Sequence, residues 1–418
     1  MSLTTRVLIG LTAGFVLGLA LAGSPSPAVA MLLTVLAPVG TIFINLIRMT
    51  VIPLVASMLV ASVGSLASSG ALGRAGARAA AIAVVMLAIT AVATVLIATP
   101  VLARIPIDQG AALALRPSTA LGPGGATTAT TANTTAPAAP TPAVAQWFVD
   151  LVSPNVFKAA ADGAMLPVIV FSVLFGVALA GVAAERRDAV LRVTQGIADT
   201  MQRLVSGILE LAPFGVFALA VPLATKLGLA AAGAVLAYIA LVVLLTVAAA
   251  VVLLYPVGIV AGKMSPAAFV AFCAPAQAVA FASRSSLAAL PAMVESGERA
   301  GLPPVVARFI LPLAASVFRV GAAVAMPVGV LFLARLYGAA LSPAQLASVV
   351  FTVILSSFAV PGVPGGSIIA MVPVLAAVNL PIEGIGILLA VDTIPDMFRT
   401  TANVTGSLTL SAVLRRHE

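Results

Sequence analysis

Histidine and cysteine are almost missing from this chain: its 418 residues include one of each, Cys273 and His417. A single cysteine excludes an internal disulfide framework and any cysteine-based metal cluster. With the sole histidine at position 417, histidine-dependent triads and histidine-rich metal sites are excluded too. Little room is left for a hydrolase or a metalloenzyme, and no cofactor is expected. Charge is also scarce. Asp, Glu, Lys and Arg make up 8% of the chain, against 61% hydrophobic residues and a mean hydropathy of +1.20. A soluble domain of this length has no core large enough to hide that much apolar surface, so the composition calls for a bilayer.

The net charge of +8 does not point to nucleic acid, because the basic residues stand singly or in pairs at the ends of apolar runs. Those runs fall near 7–23, 31–66, 79–103, 164–184, 200–224 and 228–262, with a less regular region from 263 onward. The second is too long for one upright helix and must tilt or bend, with Pro53 as the place. If the spans alternate, Arg6, Arg74, Arg78, Arg186, Arg187, Arg192 and Lys263 all fall on one side. That side is then cytoplasmic, in a multi-pass protein of the inner (plasma) membrane with both termini cytoplasmic. Arg6, the first apolar run and Ala28-Val29-Ala30 also imitate a secretory signal and its cleavage site. Retention of the first span keeps the alternation of charge, whereas cleavage would leave a chain beginning outside. Leu121 to Pro142 is almost wholly Thr, Ala, Pro and Gly, too poor in apolar surface to order itself, and reads as a flexible external loop.

Against this apolar background one polar pattern stands out. Asp392, Asp396, Arg399, Asn403 and Ser407 follow at steps of four, three, four and four within the stretch from Ile385 to Leu414. At about 100° per residue all five share one helix face. Ionisable groups at membrane depth are expensive unless they face protein, water or a ligand, so this face reads as a binding site. The alternative is an internal ion pair of Asp396 with Arg399 that merely pins two helices together. Two further segments do not behave like simple spans: Ser283-Arg284-Ser285-Ser286 through Pro291, and Pro361-Gly362-Val363-Pro364-Gly365-Gly366-Ser367. Both read as tips of hairpins that enter and leave from the same side. Irregular backbone at membrane depth is tolerated only where protein or a water-filled cavity covers it, which places a binding site between the tips. The second tip has the backbone freedom of a gate; the alternative is an ordinary external turn.

The order of these features resembles the glutamate-transporter homologues, the dicarboxylate/amino acid:cation symporter family, over most of the chain. Phe43-Ile44-Asn45-Leu46-Ile47-Arg48-Met49 with Val51-Ile52-Pro53 resembles the family's second helix, Met165 to Leu179 its fourth and Ala212-Pro213-Phe214-Gly215-Val216-Phe217-Ala218 its fifth. Arg284-Ser285-Ser286 resembles the first hairpin tip and Val363-Pro364-Gly365 the second. Asp396-Met397, Arg399-Thr400 and Asn403-Val404-Thr405-Gly406 resemble the last helix, the most specific match. The resemblance implies an all-α polytopic membrane protein of eight transmembrane helices and two re-entrant hairpins. These would be built as inverted repeats and assembled as a homotrimer. A scaffold (1–75 and 146–225) would hold a mobile transport domain (76–105 and 226–418), with 106–145 as the external loop. It further implies that Arg399 holds the side-chain carboxylate of an acidic amino acid and Asp396 its ammonium group. Asn403 and Thr400 would help bind the main carboxylate, and Ser285, Ser286, Val363 and Gly365 would close the site. The chemistry agrees: a guanidinium is a planar, permanently charged fork matched to a carboxylate, and a second anion beside it suits a substrate that also carries a positive group.

The chain departs from the family where the family binds sodium. An Asn-Met-Asp-Gly-Thr interruption is replaced by Phe318-Arg319-Val320-Gly321-Ala322, Ser407 stands where many relatives have aspartate, and Met86 and Ile89 replace a tyrosine and a threonine, leaving Thr90 as the one hydroxyl. Sodium wants oxygen ligands, so side-chain sodium sites are not expected, although main-chain carbonyls at the seventh helix and second hairpin remain available. The fixed charge of Arg319 is expected to stand in for a lost cation and to partner Asp392 or the substrate; otherwise it reaches a water-filled crevice or the interface. Protons are the alternative driver, with Asp392 the candidate carrier because Asp396 is committed to substrate. The coupling ion is therefore H+ or Na+. A passive facilitator or channel, or a transport-dead sensor, would use the same helix without coupled vectorial uptake. An intramembrane enzyme lacks a base for Ser286.

Overall fold

The computed structural model describes residues 3–24, 26–68, 73–104, 149, 151–227, 229–360 and 365–415. The external loop expected at 106–145 and the hairpin residue Val363 lie outside them. Among the described residues every regular element is helical. The first half comprises α1 (Leu3–Ala20), α2 (Pro27–Ser68), α3 (Gly73–Ala103), the short α4 (Val156–Ala161), α5 (Met165–Ala178), α6 (Ala184–Leu209) and α7 (Ala212–Leu227). The second half begins with α8 (Leu229–Ala249), which passes through a π-helical turn at Ala250–Leu254 into α9 (Tyr255–Val260). Next come α10 (Pro266–Ser283), α11 (Leu290–Arg299), α12 (Leu311–Val317) and α13 (Val320–Leu336). The chain closes with α14 (Pro343–Ser357), α15 (Gly366–Ile369), α16 (Val372–Ala377), α17 (Ile385–Val391) and α18 (Thr393–Leu414). Among the described residues, five segments are long and apolar enough to cross a bilayer: 27–65, 78–103, 233–260, 266–283 and 311–336.

The 42 residues of α2 rise about 63 Å at 1.5 Å per residue, twice a hydrocarbon core of about 30 Å, so this helix cannot stand upright. One sequence expectation is refined next to it. The run expected at 200–224 is not one straight helix: the chain bends by 57° between α6 and α7. Composition explains the break. Asp188, Arg192, Asp199 and Arg203 make α6 polar on one side, while Leu191, Ala198 and Val205, at seven-residue steps, form a buried stripe that lies along α2. The apolar character needed to cross begins only at Ala212.

α1 and α7 run parallel in close contact. Gly10 faces Pro213, Gly14 faces Phe217 and Ala220, and Gly18 faces Val221 and Ala224. A Cβ at Gly14 would stand 3.0 Å from the Phe217 carbonyl oxygen and 2.9 Å from Ala220 Cβ. Helices in lipid gain no hydrophobic drive from meeting one another, so close approach through small residues is what holds such a pair. Arg6, at the start of α1, reaches Glu210 at the α6–α7 break at 2.8 Å. The two helices therefore begin at the same end of the molecule.

The second half packs around α13, in which every residue from Val320 to Ala334 is buried. α3, α8, α14 and α18 surround it. Two hairpins lie against this group. α10 ends at Arg284, which takes the left-handed conformation (φ 54°), and α11 returns along it. α14 opens on a capping box, Ser342 accepting the Gln345 N–H while Gln345 accepts the Ser342 N–H, and α16 returns against α14. The 15 residues of α14 rise about 22 Å, short of a full crossing.

Replacing Gly14 by Leu should therefore drive a side chain into the Phe217 backbone and destabilise the protein by about 1–3 kcal/mol. Thermal unfolding in detergent measures this. A surface glycine with open space around it, Gly196, serves as the control and should tolerate alanine.

Candidate functional site

Arg399 is wholly buried, so its charge must be met by protein. Nη1 and Nη2 each donate to one oxygen of Asp392, both at 2.6 Å, and Nη2 also donates to Asp396 at 2.8 Å. A guanidinium presenting two parallel N–H groups to one carboxylate is the strongest pairing available to it. The local chain makes this fork reachable. The stretch from Ile385 to Leu414 was expected to be one continuous helix, and it is not: α17 ends at Val391, Asp392 forms the turn, and α18 begins at Thr393. Asp392, whose carbonyl accepts the Asp396 N–H at 2.7 Å, lies on the same side as Arg399 and meets its guanidinium seven residues on. Asp396 reaches it in the ordinary i,i+3 manner. The expected ion pair of Asp396 with Arg399 is thus present, within a larger cluster.

The two hairpin tips converge on these carboxylates. The N–H of Gly365, a left-handed residue (φ 76°), points to Asp396 Oδ2 at 3.4 Å, and the Arg284 guanidinium at the first tip acts electrostatically on Asp392. At the first tip Ser286 is buried, while Ser285 accepts the Ala288 N–H at 3.2 Å and shapes the turn. Thr400 is buried one residue beyond Arg399. Asn403 accepts the Gly321 N–H at 2.8 Å, leaving its amide N–H groups available. That bond ties α18 to the break between α12 and α13, where Phe318 and Arg319 are non-helical. The break packs tightly. A Cβ at Gly321 would lie 2.8 Å from Arg399 Cα, and one at Gly406 would lie 3.0 Å from both Phe318 and Val320.

Arg319 is buried at this break. Of the partners expected for it, Asp392 has both oxygens engaged by Arg399, and Asp396 acts on Arg319 electrostatically. Ser407 and Thr90 turn their hydroxyl hydrogens onto their own helices, to Asn403 O at 3.1 Å and Met86 O at 2.7 Å. Thr90 lines a separate cavity of about 240 Å3 between α3 and α8, shared with Ile89, Thr94, Ile97, Leu245 and Val252.

Sequence reasoning missed two further polar contributors. Tyr238 of α8 is wholly buried and lies in the field of Asp392 and Arg399; a tyrosine inside an otherwise apolar span was the available signal. Gln277 of α10 donates to Thr405 at 2.8 Å and to the Tyr255 hydroxyl at 3.1 Å, fastening the first hairpin to α18. As arranged, the cluster can offer a fork to an incoming carboxylate only by giving up Asp392, and it can offer Asp396 to a positive group only by loosening Arg399.

Residues 3–417 match the family described as Sodium:dicarboxylate symporter family. The chain is 30% identical, over all of its length and 93% of the relative's, to a proton/glutamate-aspartate symporter of Escherichia coli. It is 28% identical to a proton/sodium-glutamate symport protein of Bacillus caldotenax, over all of this chain and 94% of that one. An L-cystine uptake protein of Shouchella clausii is 29% identical over 63% of this chain and 58% of its own.

Removing Asp392 as alanine leaves a buried guanidinium with one carboxylate fewer, and such a loss costs about 3–5 kcal/mol. Asp392→Ala should therefore unfold at markedly lower temperature than wild type in detergent, with Asp392→Asn intermediate because its amide oxygen still accepts a hydrogen bond.

Proposed function

The chain belongs to the sodium:dicarboxylate symporter family, whose members are transporters rather than enzymes. From that premise we propose that it carries acidic amino acids, L-aspartate and L-glutamate, across the plasma membrane by alternating access, coupled to protons rather than to side-chain sodium sites. The observation that carries this reading is the Arg399 fork closed by Asp392 and Asp396. The side-chain carboxylate of the substrate takes the guanidinium, its ammonium group takes Asp396, and Asn403 with Thr400 holds the main carboxylate. Ser285, Ser286, Gly365 and Val363, the last outside the described residues, close the site from the two hairpin tips. A plain dicarboxylate makes no use of Asp396, and a substrate without a side-chain carboxylate makes none of the fork. The names of the Escherichia and Bacillus relatives agree with an acidic amino acid.

Proton coupling follows from charge. Among residues whose side chains are described, the buried charged ones are Arg319, Arg399, Asp392 and Asp396, two of each sign. An amino diacid of net charge −1 upsets that balance in a medium where unpaired charge is costly. Asp392, displaced from Arg399 by the substrate, is the group that takes the proton. Movement is proposed as an elevator: 76–105 and 226–418 travel against a scaffold of 1–75 and 146–225, in a homotrimer with both termini cytoplasmic. The packing of α1, α2, α6 and α7 on one another, and of α3, α8, α13, α14 and α18 on one another, supports that division.

Uptake of labelled L-aspartate into proteoliposomes tests the reading, with sodium and proton gradients imposed separately. An inwardly directed proton gradient should drive accumulation in sodium-free buffer. Arg399→Ala should raise the half-saturating aspartate concentration about a hundredfold or more, the usual loss when one partner of a buried charge pair is truncated. Asp392→Asn should keep exchange of aspartate but lose its response to the pH gradient. Strict dependence on sodium would instead assign coupling to main-chain carbonyls at the helix breaks, and equal flux with no gradient dependence would mark a passive facilitator.

A further inference from the structure

Arg319 occupies an unusual position. α12 stops at Val317, Phe318 is extended (φ −95°, ψ 105°), Arg319 is non-helical (φ −121°, ψ 71°) and α13 starts at Val320, all within the apolar segment 311–336. The break sets the C-terminal carbonyls of α12 beside the N-terminal end of α13, whose N-cap is Arg319, so the opposed dipole ends largely offset each other and oxygen atoms and carboxylate charge are what remain to draw a cation. Asp396 adds a full negative charge from α18. Such a place attracts a cation, and carbonyl and carboxylate oxygens are what a hard monovalent cation binds. The guanidinium of Arg319, 3% exposed, is already there. Its backbone is held firmly: two residues on, the Gly321 N–H is fixed to Asn403 and the glycine lies against the Arg399 backbone.

We propose that Arg319 is a tethered counter-cation, a covalently bound positive charge that does at the α12–α13 break what a dissociable cation would otherwise do. The proposal rests on reading the Arg399 cluster as the substrate site, and it adds why that site is balanced without sodium. Without Arg319 the buried set would be Arg399 against Asp392 and Asp396, one negative charge in excess before any substrate arrives. Arg284 faces the same carboxylates but is partly exposed, and solvent screens it. A tethered charge also differs from a bound ion in consequence. It cannot be released on either side of the membrane, so it lowers by one the number of cations moved per substrate, and it keeps the empty site neutral, leaving the charge of the substrate to the proton.

The test uses the purified full-length protein without substrate, unfolded thermally in sodium chloride and in choline chloride at matched ionic strength. The buffer is alkaline so that protons do not substitute for the missing charge. Wild type and Arg319→Lys, which keep the charge, should unfold at the same temperature in both salts. Arg319→Met and Arg319→Gln should gain a sodium-dependent rise of about 2–4 °C or more, as expected when a ligand binds only the folded state. Their aspartate binding should become sodium-dependent in step. Sodium stabilisation of wild type as large as that of the neutral variants would overturn the proposal, and so would neutral variants that fold yet ignore sodium. Should neither neutral variant fold, wild type decides alone: indifference to sodium supports a tethered charge and stabilisation contradicts it. Failure of the substrate reading is separate, because it appears as wild type gaining nothing from L-aspartate while the salt comparison stays readable.

Discussion

A guanidinium cannot be left unpaired in a protein interior surrounded by lipid, and the arrangement of the second half of this chain follows from that constraint on Arg399. Two carboxylates must reach it, and one of them, Asp392, does so from the junction of α17 and α18. The second, Asp396, is shared with the Gly365 N–H at the second hairpin tip and with the field of Arg319. Among residues whose side chains are described, the buried charged ones, Arg319, Asp392, Asp396 and Arg399, therefore gather in one cluster with two charges of each sign. Charges held this way resist casual change. A ligand that offers the same fork geometry to Arg399 is the natural means of reopening the cluster.

The frame that positions the cluster is built from close backbone approach rather than from bulk. Gly321 lies against Arg399, and Gly406 leaves space for Phe318 and Val320, so the break in α12–α13 is packed directly on the polar face of α18. Gln277 to Thr405 and Thr409 to the Leu254 carbonyl, beside the π-helical turn, add polar ties between spans. Hydrogen bonds between spanning helices are modest individually, and here they fasten the first hairpin and the α8–α9 junction to the same helix that carries the site.

Much of this was legible in the sequence. The composition alone required a bilayer, the four-three-four-four spacing found the polar face of α18, and Ser283–Pro291 marked the first hairpin tip; of the second, expected at Pro361–Ser367, residues 361–364 lie outside the described residues. The breaks were harder. Asp392 sits at helical spacing from Asp396, and the signal for the turn was Pro395, which cannot donate to the Val391 carbonyl and crowds it, so the ladder breaks one turn earlier; that the side chain at the break would then reach Arg399 is visible only once side chains are in place. The division of α6 from α7 was hidden for a different reason. Hydropathy averaged over 200–224 blends the end of an amphipathic helix with the start of an apolar one, and only the charged residues upstream on α6 separate them. Tyr238 went unnoticed because one hydroxyl hardly changes the hydropathy of a span.

The central claim is that substrate and Asp392 compete for one guanidinium. The most direct measurement is the separation of Asp392 from Arg399 in an experimental structure solved with saturating L-aspartate, beside one solved without it. The account predicts that the two bonds of 2.6 Å open when L-aspartate is bound and that a substrate carboxylate takes their place on the guanidinium. L-aspartate bound elsewhere, with the Asp392–Arg399 fork intact, would contradict it.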